Sequence, residues 1–298
     1  MRATIYLTTA AIFWGLNFHF ARIMLQETDF IGAGTWRYLL GVVTLFVFSY
    51  RAMPGLGKIR ANIRGILLVG VIGLFGFNFL FFLGLEYTAP LNAALIMGLN
   101  PATTIILGRV IFKTRISPTQ ALGILIALMG VVYLLSRGDL FAISELQLNR
   151  GDLLIFAANL VFAGYHVSLK KYAANFSNRE FTLITSLACL FALLVVFSMT
   201  RPWVMFDFSL DFYLAAIGVG SFGTALAFLA WNKGVHLIGA GRAGIFINLV
   251  PLSTAISSLF FQQELYFYHL VSGIIIIAGL LTLQTKGTLR LKKPEVLD

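Results

Sequence analysis

The stretches LNPATTII (Leu99–Ile106) and LVPLSTAI (Leu249–Ile256) each set a proline in the middle of a long apolar run. In a water-soluble helix an interior proline deletes a hydrogen bond and clashes with the preceding turn, at about 3 kcal/mol or more. Pro101 and Pro251 stand 150 residues apart, and the match spreads outward from them. Laid on residues 234–276, residues 84–126 pair Gly84 with Gly234, Thr104 with Thr254 and Gly123 with Gly273 in one ungapped register. Earlier, an offset of 148 pairs Trp14 with Phe162, Gly15 with Ala163 and Arg22 with Lys170. The chain therefore reads as two copies of one unit.

Composition says where such a unit lives. Of 298 residues, 59% are apolar and 11% charged, whereas a soluble domain carries about 25% charged residues. Ten segments have the roughly 20 apolar residues that a bilayer crossing needs. They are about 3–25, 30–50, 63–85, 88–112, 119–136, 151–172, 180–200, 211–233, 240–262 and 267–284. The first has no small-residue cleavage site after it and reads as a retained helix. A single cysteine, Cys189, rules out an intrachain disulfide.

The charges orient the spans. One side gathers Arg2, Arg51, Lys58, Arg60, Arg64, Lys113, Arg115, Lys170, Lys171, Arg179, Lys233, Arg242 and the tail residues Lys286, Arg290, Lys292 and Lys293. The other holds Arg137, Arg150 and Arg201 with most of the acids, among them Glu27, Asp29, Glu86, Asp139, Glu145, Asp152, Asp207, Asp211 and Glu264. By the positive-inside rule both termini are cytoplasmic, in an inner-membrane, multi-pass protein. The net charge of +10 is then a topology signal and gives no reason to expect a nucleic-acid partner. The reading is an all-α membrane protein of ten helices: a first repeat over 1–140 (spans 1–5), a second over 150–284 (spans 6–10) and a basic tail at 285–298. With five spans per copy, the second enters the membrane from the opposite side, the inverted-topology plan of many transporters.

These residues also resemble a known family. AAIFWGLNF in span 1, TWRYLLGVVTLF in span 2, and FLGLEYTAPLNAALIMGLNPATTIILGRVIF across spans 3–4 are similar to the EamA family of the drug/metabolite transporter superfamily. So are GDLLIFAANLVFAGYHV, LGILIALMGVVYLL and SGIIIIAGLLTL. The resemblance covers nearly the whole chain and implies a ten-helix exporter of amino acids or other small metabolites, with a central cavity. One departure is that Glu264 follows span 9 as in relatives, while the first half reads KTR (Lys113–Arg115) at the matching place.

Polar groups inside hydrocarbon are expensive and turn toward the bundle interior. The candidates for substrate binding are Trp14, Asn17, Phe18 and His19 in span 1, Arg37 in span 2, Asn78 in span 3 and Asn100 in span 4. In the second half they are Tyr165 and His166 in span 6, Trp231 in span 8 and Asn248 in span 9. Asn92, Thr103, Thr104, Asn159, Asn232 and Ser253 extend the same polar track, each also readable as a helix–helix hydrogen bond. Arg37 is the deepest charge, and its fork suits a substrate carboxylate; snorkelling, or an ion pair with Glu86, is the rival reading. For Arg22 and Arg109, snorkelling is expected. Pro101 and Pro251 are candidate hinges, with a static kink as the plainer alternative.

No Asp or Glu falls in the middle third of a span, which leaves His19 and His166 as candidate proton carriers. No phosphate loop, zinc signature or nucleophile elbow is present, so neither ATP-driven transport by this chain alone nor a membrane enzyme is favoured. No cofactor and no metal are expected. The favoured reading is gradient-driven or facilitative export of amino acids or related metabolites by alternating access, with protons as a candidate coupling ion. Efflux of nucleobases, nucleosides or amphipathic drugs is second; a membrane enzyme or scaffold trails both. The lipid bilayer and a small-molecule substrate are the expected partners, for a monomer or weak homodimer.

Overall fold

A computed structural model of the chain describes residues 2–113, 115–139, 149–200, 207–238 and 243–284. The basic tail at 285–298 lies outside the described residues, as do Arg201, Arg242, Glu145 and the side chain of Lys170. The described residues are helical, with no strand among them. In chain order the helices are α1 (Arg2–Met24), α2 (Phe30–Ser49), a short α3 (Leu56–Ala61), α4 (Ile63–Leu85), α5 (Pro90–Phe112) and α6 (Pro118–Leu135). They continue as α7 (Arg150–Tyr172), α8 (Asn178–Thr200), α9 (Leu210–Ile238), α10 (Leu249–Ser258) and α11 (Phe267–Gln284).

Seven helices, α2 and α4 to α9, are long and apolar enough to cross a membrane. Three predicted spans correspond to helices outside that group. The 23-residue α1 carries Asn17 and His19 in its apolar run, which dilutes its hydropathy. The apolar stretches around α10 (Phe246–Ser258) and α11 (Phe267–Leu283) are shorter.

Side chains start several of these helices. Asp29 accepts from the Gly32 N–H at 2.8 Å, Ser117 and Gln120 form a reciprocal capping box, and Ser209 accepts from the Phe212 N–H at 3.2 Å. Each satisfies backbone donors that a helix start leaves unpaired.

Lipid tails are as apolar as leucine, so packing inside a bilayer rests on close fit and small residues. Helices α6 and α11 pair along such a seam, where Gly123 lies against the Gly279 carbonyl and Gly279 against Ala127. Helices α1, α2, α4, α5 and α7 to α10 surround a central space, with Met24, Phe82, Leu85 and Phe212 fully buried between them.

Two stretches wind more loosely than an α-helix. Leu68–Phe75 in α4 and Gly218–Leu226 in α9 are π-helical, a form that appears mostly as local bulges at functional sites. They fall in the same 150-residue register, reading VGVIG (Val69–Gly73) and VGSFG (Val219–Gly223). Gly70 lies against α8 and Gly220 against α2, where an added Cβ would come within 2.7 Å of Ala188 Cβ and 2.8 Å of the Arg37 carbonyl. Glycine is what lets these backbones approach so closely.

The prolines stand just past breaks in winding. Helix α5 loses its regular turn at Gly98–Leu99, two residues before Pro101. In the second half a 3-10 turn, Gly244–Asn248, leads into α10 and Pro251. Both prolines therefore occupy the first turn of a fresh helical segment, where the missing N–H does least harm.

Candidate functional site

The two ends of the bundle differ. At one, which we call the Glu27 end, polar contacts cross between helices. Ser209 donates its N–H (2.8 Å) and its hydroxyl to the Glu27 carboxylate. Phe30 N–H donates to Glu86 Oε1 at 3.1 Å, and Thr88 donates to Asp152. Arg22 donates to the Leu85 and Glu86 carbonyls at 2.5 and 3.1 Å, so it caps the end of α4. Arg109 donates to the Lys113 carbonyl at an exposed helix end. The Ser209 hydroxyl and N–H hold the Glu27 carboxyl below its usual range, while burial pushes Glu86 up against the opposing pull of the Phe30 N–H. At the opposite, Lys58 end, Lys58 pairs with Glu180 at 2.9 Å and Asn175 donates to Asn62.

Between them is a cavity of about 470 Å³. It is lined by Trp14, Asn17 and Phe18 of α1, Arg37 and Tyr38 of α2, Leu74, Phe77 and Phe81 of α4, and Met97, Gly98 and Asn100 of α5. From the second half come Phe162, Tyr165, His166 and Leu169 of α7, Asn178, Phe181 and Thr182 of α8, Phe228, Trp231 and Asn232 of α9, and Ile247 and Val250. Helices α6 and α11 contribute none of these residues. The lining reaches exposed Asn178 and the Ala173 turn at the Lys58 end. Toward the Glu27 end, fully buried Ala21, Met24, Phe82 and Leu85 fill the interior.

Eight of the eleven predicted substrate residues line this cavity: Trp14, Asn17, Phe18, Arg37, Asn100, Tyr165, His166 and Trp231. The Trp14 indole N–H donates to the Gly223 carbonyl at 3.1 Å, and its ring meets those of Phe228 and Trp231 at 5.5 and 5.1 Å. The Ala227 N–H, which a regular α-helix would give to that carbonyl, reaches back five residues to Phe222 as the π segment ends. Asn17 lies against Gly223, where any Cβ would strike its amide, and its Oδ1 is buried without a hydrogen bond. Phe162 stacks on Phe77 and lies parallel to Tyr165, with His166 set edge-on.

Arg37 is only 7% exposed. Its Nε donates to Thr224 Oγ1 at 3.0 Å and its guanidinium lies 5.8 Å from the centre of the Phe81 ring. The ion pair with Glu86 is not formed, since the Glu86 side chain takes the Phe30 N–H instead.

Three predicted residues are moved off the cavity wall. The His19 Nε2–H donates to the Thr254 carbonyl at 3.0 Å, and the ring stacks on Phe261 behind α1. Two positions from Asn17 on a helix, it faces α10. Asn78 donates to the Leu74 carbonyl of its own helix at 2.8 Å. Asn248, at the end of the 3-10 turn, is 6% exposed with both amide atoms unpaired. Asn92 likewise meets His269 at 3.1 Å.

Asn159, predicted only as part of the polar track, holds the break in α5. Its Nδ2 donates to the Ile96 and Met97 carbonyls at 3.0 and 3.3 Å, and its Oδ1 accepts from Thr103 at 2.6 Å. Sequence reading passed over Tyr38, Phe77, Phe81, Phe181 and Phe228. The signal available was spacing: Phe77 and Phe81 stand four residues apart, Phe181 stands three after Asn178 and Phe228 three before Trp231.

Membrane-length helices enclosing a polar and aromatic cavity are the build of a membrane transport protein. The model of the EamA-like transporter family matches residues 1–136 and again 149–285, so the chain belongs to that family and is a multi-pass membrane protein. It is 33% identical over 285 residues to "Uncharacterized transporter YyaM" of Bacillus subtilis (strain 168), covering 95% of this chain and 93% of that one. An "Uncharacterized transporter" of Methanothermobacter thermautotrophicus is 26% identical over 302 residues, covering 95% of this chain and 86% of that one. A solved structure titled "Crystal structure of protein" shares the fold with a TM-score of 0.66 at 20% identity, covering 94% of this chain and 96% of that one.

Proposed function

We propose that this chain is a secondary-active or facilitative exporter of amino acids or related small metabolites, working by alternating access around the central cavity. One observation carries the reading. The cavity is walled by residues of both matched segments, holds a buried guanidinium, reaches the Lys58 end and is filled in at the Glu27 end. By the positive-inside rule the Lys58 end faces the cytoplasm, where an exporter loads. The same reading takes ten spans in two inverted repeats, 1–140 and 150–284, with a basic tail at 285–298 and both termini cytoplasmic. The repeated 150-residue register of prolines and π segments supports it. We take the protein as an inner-membrane monomer or weak homodimer, with the bilayer and a small-molecule cargo as its partners.

The test is counterflow in proteoliposomes with labelled amino acids, organic acids, nucleobases and nucleosides. Specific exchange of an amino acid or related acid supports the reading. Exchange of a nucleobase or nucleoside alone would favour the second reading, which the stacked Phe77, Phe162 and Tyr165 rings suit. No exchange from a well-folded preparation would refute both.

A further inference from the structure

We propose that the cargo is a monovalent organic anion with an apolar or aromatic body, and that its export is electrogenic; this rests on the transport reading above. The charges of the cavity carry the argument. Among the described residues lining it, Arg37 is the one formal charge at neutral pH, and none is Asp or Glu. The other titratable groups there, Tyr38, Tyr165 and His166, bear no negative charge near neutrality. A guanidinium does not shed its proton in proteins. Arg37 is nine-tenths buried, yet among the described residues only its Nε has a hydrogen-bond partner, the neutral Thr224 hydroxyl. A buried charge calls for an opposite one. The cargo is the group left to supply it.

This sets the cargo's net charge. A zwitterion would bring its carboxylate to Arg37, and would also bring an ammonium into a space that offers it no carboxylate. A monoanion brings only the charge that is missing. Trp14, Phe77, Phe81, Phe162 and Trp231 then suit an apolar or aromatic body, and a space of about 470 Å³ lies within the range of small-molecule sites. Arg37 stays with the protein, so each cycle moves one negative charge. A membrane potential negative inside drives that charge outward with no coupling ion. Among the described lining residues no carboxylate is present to carry a proton, which leaves His166 as the candidate carrier that this mode does not use.

The test uses the full chain in proteoliposomes with a tenfold potassium gradient and a potassium ionophore. The labelled probes are phenylpyruvate and 4-methyl-2-oxopentanoate, each against the amino acid of the same skeleton, phenylalanine or leucine. At least one oxo acid is expected to accumulate up to about tenfold when the lumen is made positive, and not when the gradient is reversed. The matching amino acid should compete at least about tenfold less well and ignore the potential. Arg37→Gln should abolish the accumulation, whereas Arg37→Lys, which keeps the charge, should retain part of it. If Arg37→Gln fails to fold, the wild-type potential dependence and the lysine variant still decide. Amino-acid exchange matching the oxo acids, or net oxo-acid uptake indifferent to potential, would overturn this inference and leave the transporter reading standing. Lack of exchange by these probes and by the wider panel would overturn both.

Discussion

The side-chain amide of Asn159 donates to the carbonyl of Met97, which in a regular helix would receive the N–H that Pro101 lacks. A residue of α7 thus completes the backbone of α5 across the interface between the two matched segments. Asn159→Ala would leave the Thr103 hydroxyl and the Ile96 and Met97 carbonyls without this partner. The Ile96 carbonyl still accepts from the Leu99 N–H at 3.1 Å and the Thr103 hydroxyl still donates to the Asn100 carbonyl at 3.0 Å, so the Met97 carbonyl is the group left short, and a buried polar group left unpaired costs about 1–3 kcal/mol. The expected result is a lower unfolding midpoint in detergent, with a larger drop than Asn92→Ala gives. Equal drops would remove Asn159 from this role.

The prolines themselves are a matter of rate. Pro101→Ala and Pro251→Ala are each expected to slow turnover severalfold more than they weaken substrate affinity, because each follows a break in winding, in α5 or on the approach to α10. Initial-rate counterflow over a range of substrate concentrations separates the two effects. Full-speed transport in both variants would leave only static kinks.

Gly223 is held at its size by Asn17. Gly223→Ala drives a methyl group into the Asn17 amide, whereas Gly73→Ala meets Tyr165 at 3.2 Å and asks for a smaller shift. Overpacking of this kind costs about 1–3 kcal/mol. Gly223→Ala should therefore lose both stability and substrate affinity, measured by thermal unfolding and ligand protection, and Gly73→Ala should lose less of each. The reverse order would contradict the packing described.

The two histidines have different surroundings and different expected phenotypes. A proton route through both requires His19 to reach the cavity, and it is turned toward Thr254 and Phe261. His166→Gln is expected to change apparent substrate affinity severalfold. His19→Gln should leave affinity unchanged and cost about 1 kcal/mol of stability for its hydrogen bond. Equal affinity losses would restore the paired route.

The Glu27 contact gives a pH signature. Ser209 lowers the Glu27 carboxyl below its value in the unfolded chain, about 4.3. Its contribution is therefore complete above about pH 4.3 and is lost as pH falls through the lower folded-state value. The difference in unfolding midpoint between wild type and Glu27→Gln should shrink on going from pH 6 to pH 3. A difference independent of pH would show that the carboxylate is not what matters.

Membrane class, family and repeat were legible because each is a long-range pattern that no single residue controls: apolar runs, charge sidedness, and Pro101 and Pro251 in one register. Trp14 and Arg37 stood out because they are rare residues at depth. His19, Asn78 and Asn248 look equally distinctive in sequence, yet lie off the cavity wall, because a helix's rotation is fixed by packing partners elsewhere in the chain. The aromatic wall hid for a different reason. With 28 phenylalanines, Phe77 and Phe81 are lost among others that face lipid. The π segments left a trace, the repeated glycines of VGVIG and VGSFG, but glycine spacing does not announce a change of winding.

The indole of Trp14 faces the cavity with its ring and grips the Gly223 carbonyl with its nitrogen. A cargo that displaced the ring would break that bond and leave the Gly223 carbonyl facing the cavity. A cargo resting against Trp14 would thus meet a side chain that ties the α1 wall of the cavity to the π segment of α9.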